Sequence, residues 1–214
     1  MSLLTIFLSS LYPRRLSCDL CGRDARLDTQ GPGAYLCPDC LGKLQRAEQE
    51  IPPDGLDGLY AGLLYNDAAA TLIRRFKYHH GQYLAQTLAC FLPEVPAVDC
   101  IVPVPLHPAR QKQRGYNQSL LLAGELARRE GLPLEPALLI RRRDTANQAS
   151  LSADERPGNV QGAFRAHGQV RGRRILLVDD VVTTGATLCA CAEALREKGA
   201  AGVWAATVCS AYKW

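Results

Sequence analysis

The stretch from Arg173 to Cys209 constrains the fold more than any other part of this chain. It reads as an apolar strand, RRILLVDD over 173–180, then a Thr-Thr-Gly turn, a helical pattern over 187–198, and a second strand, GVWAATVC over 202–209. Two strands joined through a helix run parallel, because the crossover returns the chain to the same end of the sheet. The turn sits at the carboxyl end of its strand, where parallel α/β sheets bind their ligands. Its backbone N–H groups, opening a helix, suit an anion such as phosphate. Asp179 and Asp180 stand directly before it and should repel that anion. Either the site is not for phosphate, or the ligand carries something else that the acids want.

The chain before this unit continues the alternation. LYAGLLYN (59–66) reads as a strand, and Asp67 can cap the helical pattern AAATLIRRFKYHH. QYLAQTLACFL (82–92) reads as a second helix, and VDCIVPVPL (98–106) as a short buried strand ending in prolines. NQSLLLAGELARREG (117–131) reads as a helix closed by Gly131, and ALLIRRR (137–143) as a strand. SADE, with Ser152 and Glu155, has the form of a capping box. Strands alternating with helices imply an α/β fold with a parallel sheet covered on both faces. The chain's 214 residues allow one such domain and a small module, and a hydrophobic fraction of 47% supplies its core. A net charge of +4 permits an anionic ligand but lacks the dense basic face of a dedicated nucleic-acid binder.

Cysteine usage defines the module. Cys18-x2-Cys21 is followed, 15 residues later, by Cys37-x2-Cys40. Two such pairs bring four thiolates around one ion tetrahedrally, so the spacing predicts a closed, structural zinc ribbon. The other five cysteines lie in largely apolar segments and read as small buried hydrophobes. RAEQEIPPDGLDG (46–58) is polar, with paired prolines, and reads as a linker. The expected organisation is a helix and ribbon over 1–45, the linker over 46–58, and the larger domain over 59–214. At the start, Leu3, Leu4, Phe7, Leu8 and Leu11 fall at helical spacing, and no positive charge precedes the apolar run. That pattern predicts a docking helix and not a signal peptide or membrane span, hence a cytoplasmic protein.

The stretch ILLVDDVVTTGAT (175–187) resembles the type I phosphoribosyltransferase signature: four apolar residues, two acids, two apolar residues, then T-T-G-x-T. The resemblance implies 5-phosphoribosyl-1-pyrophosphate (PRPP) as ligand and answers the opening contradiction. The 5′-phosphate would sit in the turn of Thr183, Thr184, Gly185, Ala186 and Thr187, with Asp179, Asp180, Val181 and Val182 also in the PRPP-binding stretch. The ribose hydroxyls would donate to the paired acids. IVPVPLHPARQKQRGYNQSLLLA (101–123) resembles the pyrophosphate loop of amidophosphoribosyltransferases, so Pro105, Leu106 and His107 would meet the pyrophosphate and its magnesium. Arg110, Lys112 and Arg114 alternate with neutral residues. In an extended loop that spacing would present all three on one side, as catalytic neutralisers of the leaving pyrophosphate.

The ribbon, FKYHH at 76–80, RGYNQ at 114–118, RRRDTANQASLSADERPGNVQGAF at 141–164 and the T-T-G turn together resemble the ComF family. This resemblance spans nearly the whole chain. It implies a bacterial, amidophosphoribosyltransferase-like protein of DNA uptake and natural transformation, working near single-stranded DNA and a replication or recombination helicase. Lys77, Thr145, Gln148, Arg156 and Asn159 are then candidates for holding an acceptor or forming a lid.

Two function classes remain open at this level. One is a phosphoribosyl transferase that releases pyrophosphate, using PRPP, magnesium and positioned charge without a nucleophilic side chain. The other is a non-enzymatic single-stranded DNA- or partner-binding protein with PRPP as a regulatory ligand. The second would draw on Arg14, Arg15, Arg23, Arg26, Arg128, Arg129, Arg171, Arg173 and Arg174, with Tyr12, Tyr35 and Tyr116 as stacking candidates. Glutamine-dependent chemistry would need a glutaminase domain, and no such region is evident in these residues.

Overall fold

Four strands align in parallel because their central residues are apolar on both faces, as a doubly covered sheet requires. The computed structural model describes residues 17–23, 35–48, 51–78, 80–143 and 162–211. The strands are β1 (Gly58–Leu64), β2 (Cys100–Pro103), β5 (Arg174–Val182) and β6 (Gly202–Ser210), in the spatial order β1-β6-β5-β2. Residues 176 and 178 face one side and 175 and 177 the other, all four fully buried.

On the first side lie α2 (Asp67–Lys77), α3 (Ala85–Ala89) and α5 (Gln118–Glu130), packing Leu72, Phe76, Leu88, Leu122 and Leu126 against Leu176 and Val178. On the second lies α6 (Ala186–Glu197), whose Leu188, Cys191 and Leu195 meet Ile175 and Leu177. Burying a side chain of this size contributes about 1.5–3 kcal/mol, so the two layers fix the sheet from both faces. A separate antiparallel pair, β3 (Leu139–Arg141) and β4 (Phe164–Ala166), packs on the second side. A one-turn helix, α1 (Pro38–Leu41), and the helix α4 (Pro108–Arg114) complete the elements used below.

Two local expectations change. Asn66, not Asp67, caps α2: its side-chain oxygen accepts from Ala69 N at 3.0 Å from an extended backbone, and Asp67 falls inside the first turn. The helix expected over 82–92 is a 3₁₀ turn, Gly81–Leu84, followed by the short α3. In the segment read as a linker, described residues among 46–48 and 51–58 contact the larger domain. Arg46 bridges Leu63, Leu56 is buried, and Asp57 accepts from Val203 N at 2.6 Å and from Arg196 at 2.6 Å. The expected amino-terminal helix and capping box lie outside the described residues.

The four-cysteine module docks on α2 and α3. Arg75 donates to the carbonyls of Asp19 (3.1 Å) and Leu20 (3.0 Å), Thr87 Oγ1 donates to the Asp19 carboxylate, and Tyr35 donates to Gln86 at 3.1 Å. Cys18, Leu36, Cys37 and Cys40 are part of the same apolar cluster as Phe76 and Leu88.

Candidate ribose-phosphate site

β5 carries the two acids near its carboxyl end, and each acid meets a different partner from the α2 and α5 side. Asp180 is buried on the α2 side, where Lys77 Nζ pairs with its Oδ2 at 2.8 Å. Asp179 is reached from the first turn of α5: Ser119 Oγ donates to its Oδ1 at 2.7 Å, and Asp180 N donates to the same oxygen at 2.9 Å. One oxygen of each carboxylate is thus held by the protein. Among the described residues no donor reaches Asp179 Oδ2 or Asp180 Oδ1.

Their environments differ accordingly. Burial, then the neighbouring Asp180 charge, pushes the Asp179 carboxyl up to about 6, against the opposing Ser119 hydrogen bond. Burial also works against the Lys77 ammonium, yet the Asp180 charge and hydrogen bond overcome it and hold Lys77 above its ordinary value.

The turn beyond is built for its backbone. Gly185, at φ 75°, caps α6 in the left-handed region, and a Cβ there would meet Pro53 Cγ at 2.9 Å. Among the described residues the amides of Thr183, Thr184 and Gly185 have no acceptor, while Thr184 Oγ1 accepts weakly from Ala186 N at 3.4 Å. Val182, Gly185 and Ala186 line a small recess with Thr183 and Thr187. Three amides without an acceptor among the described residues, beside two carboxylates, suit a ligand that joins a phosphate to hydroxyl donors.

Acids and turn open onto a cleft of about 660 Å³, within the usual range for small-molecule sites. Pro105, Leu106 and Val181 line it, and five cations do so as well: Arg74, Lys77, Arg110, Arg114 and Arg141. Five cations against two carboxylates leave a positive cleft suited to a polyanion. Here the structure differs from an extended basic loop. Residues 108–114 form α4, capped by His107, whose Nδ1 accepts from Ala109 N at 3.4 Å. A helix turns 100° per residue, so Arg110 and Arg114 at i and i+4 share the cleft-facing side while Lys112 is exposed outside it. His107 caps the helix and does not line the cleft. Thr145, Gln148, Arg156 and Asn159 lie outside the described residues.

RGYNQS supplies the scaffold. Arg114 donates to Gln118 at 2.6 Å and lies 5.5 Å over the Tyr78 ring. Tyr116 donates to the Phe76 carbonyl, Asn117 donates to Val104 O at 3.0 Å, and Ser119 holds Asp179. Sequence reasoning missed Ser119, Gln118, Arg74 and Arg141. Ser119 follows a motif already singled out, so RGYNQ extended by one residue would have included it.

The second centre is the cysteine cluster. The sulfurs of Cys18, Cys21, Cys37 and Cys40 all lie within 4.8 Å of one another, with Cys21 and Cys37 at 3.9 Å. Tetrahedral Zn–S bonds of about 2.3 Å place sulfurs about 3.8 Å apart, so the donor set and its spacing fit that ion. Cys37 N donates to Cys18 Sγ at 3.3 Å.

Fold and site together define a phosphoribosyltransferase-like protein, and the phosphoribosyl transferase domain model matches residues 117–213. The chain is 32% identical to DNA utilization protein YhgH of Escherichia coli O157:H7 over 209 residues, 90% of this chain and 89% of that protein. It is 35% identical to Competence protein F of Haemophilus influenzae over 148 residues, covering 63% and 65% of the two chains. It is 29% identical to Competence protein ComFC of Bacillus subtilis over 192 residues, covering 86% and 73%. The chain belongs to the ComF family. Among solved structures it resembles a glutamine PRPP amidotransferase from B. subtilis at 26% identity and TM-score 0.39, covering 58% of this chain and a quarter (25%) of that one. No helix among the described residues is long and apolar enough to cross a membrane.

Proposed function

We propose that this protein binds PRPP at the carboxyl end of β5 and acts in DNA uptake and natural transformation, transferring the phosphoribosyl group with release of pyrophosphate. One observation carries the reading: among the described residues, each of two adjacent carboxylates keeps an oxygen without a donor, beside a turn of three amides without an acceptor. A ribose 5-phosphate offers two vicinal hydroxyls and a phosphate to that arrangement. Asp179 and Asp180 would accept from the 2′- and 3′-hydroxyls, and Thr183–Thr187 would hold the phosphate. Arg110 and Arg114 would draw charge from the pyrophosphate as the bond from the anomeric carbon to its oxygen breaks and the bond to the acceptor forms. Magnesium, bound to the pyrophosphate, would add further charge neutralisation near Pro105 and Leu106. The role in DNA uptake rests on relatives named for competence and DNA utilization. Zinc in the cysteine cluster would serve as a structural ion.

Single-stranded DNA and a helicase remain the partners we propose for that role. The purely DNA-binding reading has fewer resources than the sequence suggested. Tyr116 is buried and Tyr35 is bonded to Gln86. Arg128, Arg129, Arg173 and Arg174 pair with Glu125, Glu130, Glu135 and Asp99.

The test is calorimetric titration of PRPP with magnesium into the zinc-loaded parent and into Asp179→Asn/Asp180→Asn. Saturable binding that the variant loses supports the reading. A folded parent that binds no PRPP ends it, and salt-sensitive binding of single-stranded DNA by that parent would favour the second class.

A further inference from the structure

Adjacent acids in one buried corner should not both stay ionised, since each charge opposes the other and burial opposes both. The pairing described above shows how this chain manages it, and the device comes from segments far apart in sequence. Lys77 is the last residue of α2, and its position is set from two sides. Tyr116 OH binds the carbonyl of Phe76, one residue before it, and the Phe76 and Tyr116 rings lie 6.3 Å apart. Arg75, two residues before it, grips the Asp19 and Leu20 carbonyls of the first cysteine knuckle. The ammonium so placed covers Asp180 Oδ2, and among the described residues Oδ1 has no donor. Ser119 occupies the inner oxygen of Asp179 in the same way.

We propose that Lys77 and Ser119 are positioning residues for ribose recognition. Each occupies one oxygen of an acid so that the other faces the sugar, and Lys77 also supplies the charge that lets both acids accept hydrogen bonds at once. The proposal rests on the ribose-phosphate reading above and assigns Lys77 to the acid pair instead of to an acceptor or lid. Other charged or titratable groups face the pair as well. Arg74 lies on α2, Arg110 and Arg114 on α4, and Arg141 on β3, all lining the cleft. The thiols of Cys191 on α6 and Cys209 on β6 are held neutral by burial. None of the arginines has an ion pair with Asp179 or Asp180 among the described residues, so Lys77 is the only one of these cations in salt-bridge contact with the acids.

The experiment is calorimetric titration of PRPP with magnesium at intervals between pH 5.5 and 8.5. It compares the full-length zinc-loaded parent with Lys77→Met, Lys77→Arg and Ser119→Ala. The phosphates of PRPP titrate near pH 6 themselves. They are common to every sample, so differences between profiles belong to the protein. In Lys77→Met we expect affinity to fall at least tenfold at pH 7 and to recover as pH rises, with the midpoint at least one unit above the parent's. Lys77→Arg should keep the parent's midpoint, and Ser119→Ala should lose about fivefold in affinity. A merely structural role for Lys77 would lower affinity evenly across the range, and that result overturns the proposal. So does parent-like binding by Lys77→Met. A parent that binds no PRPP at any pH removes the ribose-phosphate reading and this proposal with it, whereas parent-like variants remove only the proposal. Should Lys77→Met be unstable, Lys77→Met/Asp180→Asn removes the buried charge along with its partner. That variant should fold and show a profile set by Asp179 alone, and an unchanged parent profile in it would also overturn the proposal.

Discussion

The two ends of the cleft are built by different means. At the Thr183–Thr187 end the backbone forms the site, with three amides that have no acceptor among the described residues, a left-handed Gly185 and a helix starting behind them. At the other end side chains from α2, α4 and β3 form it, and the acids between the two ends depend on partners from both α2 and α5. A backbone cradle comes from one contiguous segment and carries its geometry with it. A side-chain wall exists only after the fold has assembled, so its errors propagate through the packing. The two should break differently.

The largest effect is expected at the wall. Lys77→Met leaves Asp180 buried without its cation, and removing one partner of a buried pair costs about 3–5 kcal/mol. Urea unfolding at pH 7.5 reads this as a lower midpoint at unchanged slope, and Asp180→Asn in the same chain should recover most of it. If the single variant unfolds like the parent, the pair is not buried as described.

At the cradle, Gly185→Ala should cost about 1–2 kcal/mol, from the left-handed backbone and from the approach of Pro53 Cγ to the new methyl. Pro53→Ala should return part of that loss. The double-mutant cycle separates the contact from the backbone strain. Full additivity would mean that Pro53 and the turn do not touch.

Asp179 reverses the sign. Its pKa is raised from 3.8 to about 6, so the folded state holds its proton more tightly than the unfolded chain does. Well below pH 3.8 both states are protonated and the penalty is absent. It grows as pH rises through this window and is complete above pH 6. Asp179→Asn should therefore stabilise the ligand-free protein by roughly 1–2 kcal/mol at pH 7.5, after losing part of the Ser119 bond, and by almost nothing at about pH 3. Thermal unfolding at the two pH values checks this. The same variant should lose PRPP, so stability and binding move in opposite directions at a site shaped for its ligand.

The cradle was legible in sequence for the reason it should be robust: strand, turn and helix are consecutive, and T-T-G-x-T names the turn. The ribbon was legible because four thiols at fixed spacing admit few arrangements. The wall was not. Arg74 and Arg141 look like ordinary helix-end and strand-end arginines until tertiary packing brings them to the cleft. Ser119 reads as a helix residue, and Lys77 as a candidate for an acceptor or lid and not for the acid pair. The basic run after Pro105 was misread through its period: alternation by two suggests an extended strand, but His107 and Pro108 start a helix instead.

That change of period gives the smallest and most discriminating prediction. On an extended loop Arg110, Lys112 and Arg114 would contribute alike to binding a polyanion. On α4 only Arg110 and Arg114 share the cleft, and Lys112 points away into solvent. Arg110→Gln should weaken PRPP binding about tenfold, near 1.4 kcal/mol, with a reduced salt dependence. Lys112→Gln should leave affinity within about twofold, since an exposed charge outside the cleft is largely screened at 0.15 M salt. Calorimetry on the two variants, side by side at two salt concentrations, decides it. Equal losses would mean that the basic segment meets its ligand unwound, and that the wall is rebuilt when PRPP binds.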